Sequence, residues 1–291
     1  MLNPGNNTNF GIYKLYNINM GLDMRSIRKF IYFSAFVLLF VSTCLSQDAN
    51  FKEIMRFDAK EARQGIAVDN KYIYVIGTQE IGKYCKNDGT HIKSWIGEEN
   101  GPIIHLDSGV IIDSLLYCAH SNYPGIPMTS SIEIWNAKTL EHIDSHSFGI
   151  NWGSCTWVDY YDGYWWASFA QYEKWKHATE KGSEWTTLVK FDNNWQELGA
   201  WVFPEEVIQR FRPMSNSGGS WGPDGLLYCT GHDHPELYGM MIPKTGSVLE
   251  LMKTIPIDNT GQGIAWDRSV PGTIYTISKK DREVRVFKSI N

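Results

Sequence analysis

The chain repeats itself, and nothing else in it limits the possible folds so sharply. QGIAVD at residues 64–69 returns as QGIAWD at 262–267, and LLYC at 115–118 returns at 226–229. The aromatic residues of such runs, Tyr74, Tyr117, Trp166, Tyr228 and Tyr275, are separated by 43, 49, 62 and 47 residues. Units of that size, each cut into short apolar runs, are the sequence form of four-stranded propeller blades. The first unit divides into QGIAVD, YIYVIG, IGKYCK and HIKSWI, and the second, third and fourth divide in the same way. The alternation within the runs follows a strand period and not a helix period. The fifth unit offers three runs, GQGIAWD, TIYTIS and EVRVFK; FKEIMRFD at 51–58 is the expected fourth. A strand from the N-terminal end that completes the last blade closes the ring and removes an exposed edge. The expected fold class is therefore all-β: a five-bladed β-propeller of four-stranded antiparallel blades, one domain over residues 47–291.

Two local features fit this frame. Asp-rich turns (DNK, DS, DGY and DGL) separate the first and second strands of four blades, and Asp-Gly is a strong hairpin signal. The segment PEEVIQRFRP at 204–213 lengthens the interval between the third and fourth blades. It reads as a short helix opened by proline and acids and stopped by Pro213.

Ahead of the repeats, Arg25, Arg28 and Lys29 precede an apolar run from Phe30 to Val41 and the small residues Ser42–Ser46. This is the pattern of a secretory signal at 24–46, too short to span a bilayer, which takes about 20 apolar residues. Residues 1–23 form an upstream extension without an assigned role. The expected destination is the periplasm or the outside of the cell. A lipid anchor at Cys44 is the second possibility, and Thr43 in front of it counts against that. Past the signal, Cys85, Cys118, Cys155 and Cys229 are even in number, as disulfides require. However, Cys118 and Cys229 sit inside apolar runs and read as small buried hydrophobes.

With 43% hydrophobic and 20% charged residues the composition is that of a globular protein. A net charge of −5 without a basic run gives no electrostatic footprint for nucleic acid. A monomer acting on a small molecule or glycan is expected.

In a propeller, loops joining second to third strands share a face with the connections between blades. Here those loops are the longer ones, and function is expected in them. His105, His120, His177, His232 and His234 fall on that face, whereas His91, His142 and His146 fall on outer strands and read as structural. His120 and His232 end the same strand of the second and fourth blades, where they could face each other across the channel mouth. His232 and His234, two apart, present both imidazoles to one side of extended chain. His105, His120, His232 and His234, with Gln64, would suit one divalent metal ion with open positions. The same HDH stretch also reads as a solvated turn, with Asp233 either a turn residue or a partner for one imidazole. Gln64 and Gln262 each precede a glycine at the start of an innermost strand, as amide ligands at the channel or as hydrogen bonds between blades. Arg63 and Arg212 could grip a carboxylate or sulfate, or pair with nearby glutamates. Tyr123, Trp152, Tyr172 and Trp175 offer stacking surfaces for a sugar, or pack between blades and in a lid over the third. Asn216 to Gly219 bring backbone close to the channel.

The Gln64-Gly65 pair with Tyr74 and Gly77 resembles the glutamine cyclotransferase propellers, whose motif joins Gln-Gly in a first strand to Tyr-Glu-Ser-Thr-Gly in the second. Val75 stands where that motif has its glutamate, so the resemblance implies the fold and not the activity. The repeat is also similar to the lactonase and muconate cycloisomerase-like propellers. By residue type, His232, His120, Tyr123 and Arg212 are similar to the sites of polysaccharide-lyase propellers, where a histidine or tyrosine moves protons beside a neutralised uronate. These likenesses imply an exported enzyme acting on a carbohydrate or related small polar substrate, as a hydrolase, lactonase or lyase. His120, His232 and Tyr123 would be its catalytic groups, and Arg63, Arg212, Gln262, Trp152, Tyr172 and Trp175 its substrate contacts. The alternative is a non-catalytic propeller that binds a glycan or protein through the tryptophan-rich third blade.

Overall fold

A computed structural model describes residues 51–290, and the expected upstream extension, the expected export signal and Cys44 lie outside them. The first blade contains β2 (Gly65–Val68), β3 (Tyr72–Ile76), β4 (Glu80–Cys85) and β5 (His91–Ile96). The second contains β6 (Leu106–Ile112), β7 (Leu115–Ser121), β8 (Ser130–Asn136) and β9 (His142–Gly149). The third is β10 (Ser154–Tyr161), β11 (Tyr164–Ala170), β12 (Thr187–Phe191) and β13 (Glu197–Val202). The fourth is β14 (Gly218–Trp221), β15 (Leu227–Thr230), β16 (Glu236–Met241) and β17 (Glu250–Pro256). The fifth has β18 (Ile264–Trp266), β19 (Thr273–Ser278) and β20 (Glu283–Ser289), and β1 (Phe51–Asp58) pairs antiparallel with β20 as its outer strand. The protein is a five-bladed β-propeller closed by its N-terminal strand, as the repeat requires.

Burial follows position in the blade. Middle strands such as β15 and β19 are buried along their whole length because both of their faces meet neighbouring blades. Outer strands alternate, as β1 and β17 do, with one side in solvent. The cores therefore lie between blades. The third and fourth are joined by Trp157, Trp166, Trp221 and Tyr238, and the Trp157 indole donates to Asn216 Oδ1 at 2.6 Å.

The innermost strands meet backbone to backbone around the channel, which explains the glycine after each repeated glutamine. A Cβ on Gly65 would sit 2.3 Å from Ser108 Cα, and one on Gly263 would sit 2.5 Å from Gly65 Cα. Gly263 N donates to Gln64 O across the blade junction at 2.9 Å. The Asp turns form as expected: Asp113 and Ser114 both have positive φ, as do Asp162 and Gly163, in the geometry that matches strand twist. Asp69 instead ties its turn by accepting from Lys71 N and Tyr72 N, both at 2.7 Å.

The helix Glu205–Phe211 buries Val207, Ile208 and Phe211 against the third and fourth blades. It stops at Arg212, whose extended backbone is what a following proline demands. Residues 173–185, over the third blade, form two 3-10 turns around one short helix. All four cysteines in the described region are free, three of them buried, where burial pushes the thiols of Cys118, Cys155 and Cys229 up. Among the described residues no helix is long and apolar enough to cross a membrane.

Candidate functional site

Gln64 and Gln262 stand immediately before β2 and the Gly263–β18 segment, at matching places in adjacent blades, and both line one pocket of about 80 Å³ at the long-looped mouth of the channel. Gln262 holds a left-handed backbone, φ 75°, fixed by its carbonyl accepting from Thr230 Oγ1 at 2.6 Å. From the second blade come His105 and Asp107. The ladder between β6 and β7 shifts register between Leu106 and Gly109, and Asp107 lies within that irregularity and lines the pocket.

Asp107 is the least ordinary group in the site. Its residue is 6% exposed, and its carboxyl has no hydrogen-bond partner among the described residues. Burial pushes its pKa well above the usual carboxylate range, opposed only by the charge of Lys279. The His105 ring lies 3.6 Å from it, Nε2 to Oδ2, and stacks at a tilt on Tyr123 with centroids 4.9 Å apart. Burial holds His105 down to about 4, and His120, Lys279 and Lys174 add their charges in the same direction. A neutral imidazole thus sits beside a carboxyl that resists ionisation.

His232 enters the same pocket from the loop after β15, two residues beyond the strand end. Its Nδ1 is 2.6 Å from Asp233 Oδ1. An acceptor carboxylate there assigns the proton to Nδ1 and leaves the Nε2 lone pair free, the arrangement of an oriented base. Tyr123, Tyr172 and Lys279 complete the polar wall, and the Thr156 hydroxyl is buried beside them without a partner.

The other expected site residues lie elsewhere. His120, inside β7 and not at its end, has both ring nitrogens engaged: Nδ1 with Ser131 Oγ at 2.9 Å, and Nε2 accepting from Ile104 N at 3.1 Å. It fastens the segment leading into the second blade, and burial lowers its pKa. His234 does not line the pocket. Arg63 lies in a separate groove, 3.9 Å from Glu80. Arg212 is held by Glu173 at 3.1 Å, Glu184 at 3.3 Å and Glu205 at 3.6 Å, and so anchors the 173–185 segment. Trp152 packs on Phe169, and Trp175 packs against the cluster of Met128, Ala170 and Tyr172 with Lys174 over its ring. Of the five expected metal ligands the pocket gathers His105, His232 and Gln64. No group of three His, Cys, Asp or Glu side chains among the described residues is arranged to hold a metal ion.

Asp107 and Lys279 are the members that strand-end reasoning did not single out as functional. Asp107 is two residues from His105 and shares its side of an extended chain. Lys279 follows β19 where His232 follows β15, so the same positional argument reaches it.

The opposite mouth opens into a larger cavity of about 400 Å³, lined in part by Asp69, Asp159, Asp267 and Arg268. Its charges already serve one another. Arg268 reaches Asp159 Oδ1 at 2.5 Å, Asp159 Oδ2 accepts from Trp221 N at 2.9 Å, and buried Lys86 lies 2.6 Å from Asp267 Oδ2. A ring of paired charges is a structural girdle. The smaller pocket holds an acid without a hydrogen-bond partner among the described residues.

No protein-family model matches the sequence, and no curated protein matches it. Solved structures of similar shape include the PQQ-bound form of aldose sugar dehydrogenase from Streptomyces coelicolor, at 10% identity and TM-score 0.48, over 78% of this chain and 77% of that one. Others are hydrazine synthase of Kuenenia stuttgartiensis, at 11% and 0.46 over 77% and 70%, and the WD40 repeats of RRP9, at 11% and 0.45 over 77% and 79%. The likeness is one of fold alone, and the five closed sheets establish that fold without it.

Proposed function

We propose that this pocket is the active site of an exported propeller enzyme that moves protons on a carbohydrate or related small polar substrate, as a hydrolase, lactonase or lyase. The observation that carries the reading is the buried Asp107 carboxyl facing a cavity without a hydrogen-bond partner, beside the neutral His105. A carboxyl held this way presents its oxygens to whatever occupies the pocket, and such groups cluster at functional sites. Asp107, kept protonated by burial, serves as general acid. His232, oriented by Asp233, takes a proton at Nε2. An acid that holds its proton and an imidazole with a free ring nitrogen are the two roles that acid–base chemistry needs. The Gln64 and Gln262 amides and the Tyr123 hydroxyl hold substrate oxygens. A divalent ion in this pocket would have His105, His232 and the Gln64 amide as ligands, few strong donors for a closed site, and the proton transfers do not require it. The basic and apolar stretch at 24–46 supports export.

The test is a screen of purified protein against lactones and uronate-containing glycans, with metal content measured on the same sample. Asp107→Asn and His232→Ala should each lower kcat/KM by about 10²- to 10⁴-fold, the usual worth of a proton-transfer group. Turnover that survives both changes refutes the reading. A glycan-binding propeller would instead depend on Trp152 and Trp175, which here pack against their own blade and lid.

A further inference from the structure

Resting on that reading, we infer that the substrate of this site carries a carboxylate and that Lys279 binds it. Lys279 lies in the turn between β19 and β20, lines the pocket, and makes no ion pair among the described residues. Two other cations near this mouth are already engaged. Arg212 is held by three glutamates, and Lys174 lies over Tyr123 at 4.3 Å and donates to its hydroxyl. No acid inside the pocket claims Lys279 either. Asp107 makes no ion pair with it and is kept from ionising by burial, which outweighs the Lys279 charge, and Asp233 is turned onto His232.

What remains is one free ammonium among neutral donors, which include two amides, two tyrosine hydroxyls, the Thr156 and Ser217 hydroxyls and a carboxylic acid. Such a set fits a singly charged, planar anion whose oxygens take hydrogen bonds from several sides. A phosphate or sulfate dianion generally calls on arginine forks or helix N-termini, and neither lines this pocket. Size agrees, since about 80 Å³ is several times the room one bound water needs, enough for a carboxylate and the carbons beside it.

The experiment is calorimetric titration with lactate, glucuronate and galacturonate, each set against its uncharged amide. Wild-type protein should prefer at least one carboxylate over its amide by about tenfold or more, the worth of a charge-assisted hydrogen bond. Lys279→Met should abolish the preference and Lys279→Arg should keep it. Because residue 279 is exposed, both variants should unfold at the wild-type temperature. Equal affinity for acid and amide in all three pairs, or a preference that survives in a folded Lys279→Met protein, overturns the inference. Turnover that persists in Asp107→Asn and His232→Ala while the carboxylate preference holds would remove the acid–base assignment and leave this inference standing.

Discussion

Asp107 is where the molecule gives up stability for a site. Its pKa in the fold is raised above the ordinary value of 3.8, so the folded chain holds this proton more tightly than the unfolded one. The stability it contributes is complete below 3.8 and drains away as pH rises through the folded value. His105 has the opposite sign: lowered from 6.5 to about 4, it resists the proton that the unfolded chain accepts, and stability falls as pH drops through that interval. Asp107→Asn removes the first effect and leaves the second. The variant should melt above wild type at pH 8, by a few degrees at about 2–4 °C per kcal/mol for a domain of this size, with the gap closing towards pH 4. Thermal unfolding followed by circular dichroism across that range checks it, and a variant no more stable than wild type at pH 8 would deny that the acid is strained. Reading position from the repeat finds Gln64, Gln262, His105, His232, Tyr123 and Tyr172, because the blade pattern fixes which strand ends reach the mouth. It misplaces His120 because ring direction depends on Ser131 Oγ and Ile104 N, contacts that no period records. It passes over Asp107 as a site residue because the register shift in β6 has no sequence mark.

Among the elements, β1 bears the closure of the ring. It pairs with β20 from Phe51 opposite Ser289 to Asp58 opposite Glu283, and sets Met55 and Phe57 against the core between the first and fifth blades. Deleting residues 51–58 would leave β20 as an unpaired edge and uncover that apolar seam. The truncated chain should lose cooperative unfolding and associate, seen as a broadened denaturant transition and early elution in gel filtration. A monomer with a sharp transition would show that closure needs no such strand. All twenty strands are legible from apolar runs and turn residues, and the helix Glu205–Phe211 from its proline and acids. The turns at 173–185 are not, since the parts of that segment are too short to show a period and are held by Arg212 and its glutamates from a distance.

At the scale of the whole molecule, the two ends of the channel differ, with paired charges at one and the proposed acid–base site at the other. No disulfide staples the blades of the described region, so the girdle of charges at the trimmed mouth helps to hold them in place. Asp159 of the third blade joins the Trp221 amide of the fourth and Arg268 of the fifth. Cutting it back leaves a buried N–H and a cation without partners, a loss of about 1–3 kcal/mol. Of the two channel mouths this one has the larger cavity, so a comparison of the ends by size would favour it. The paired charges argue otherwise, and a reciprocal pair of variants separates the two ends. Asp159→Ala should lower the melting temperature while the folded fraction keeps wild-type carboxylate affinity and turnover. Asp107→Asn should do the reverse at neutral pH, melting higher and turning over less. If Asp159→Ala abolishes turnover in protein that remains folded at the assay temperature, the chemistry belongs to the wide mouth and the acid–base assignment at the narrow one falls.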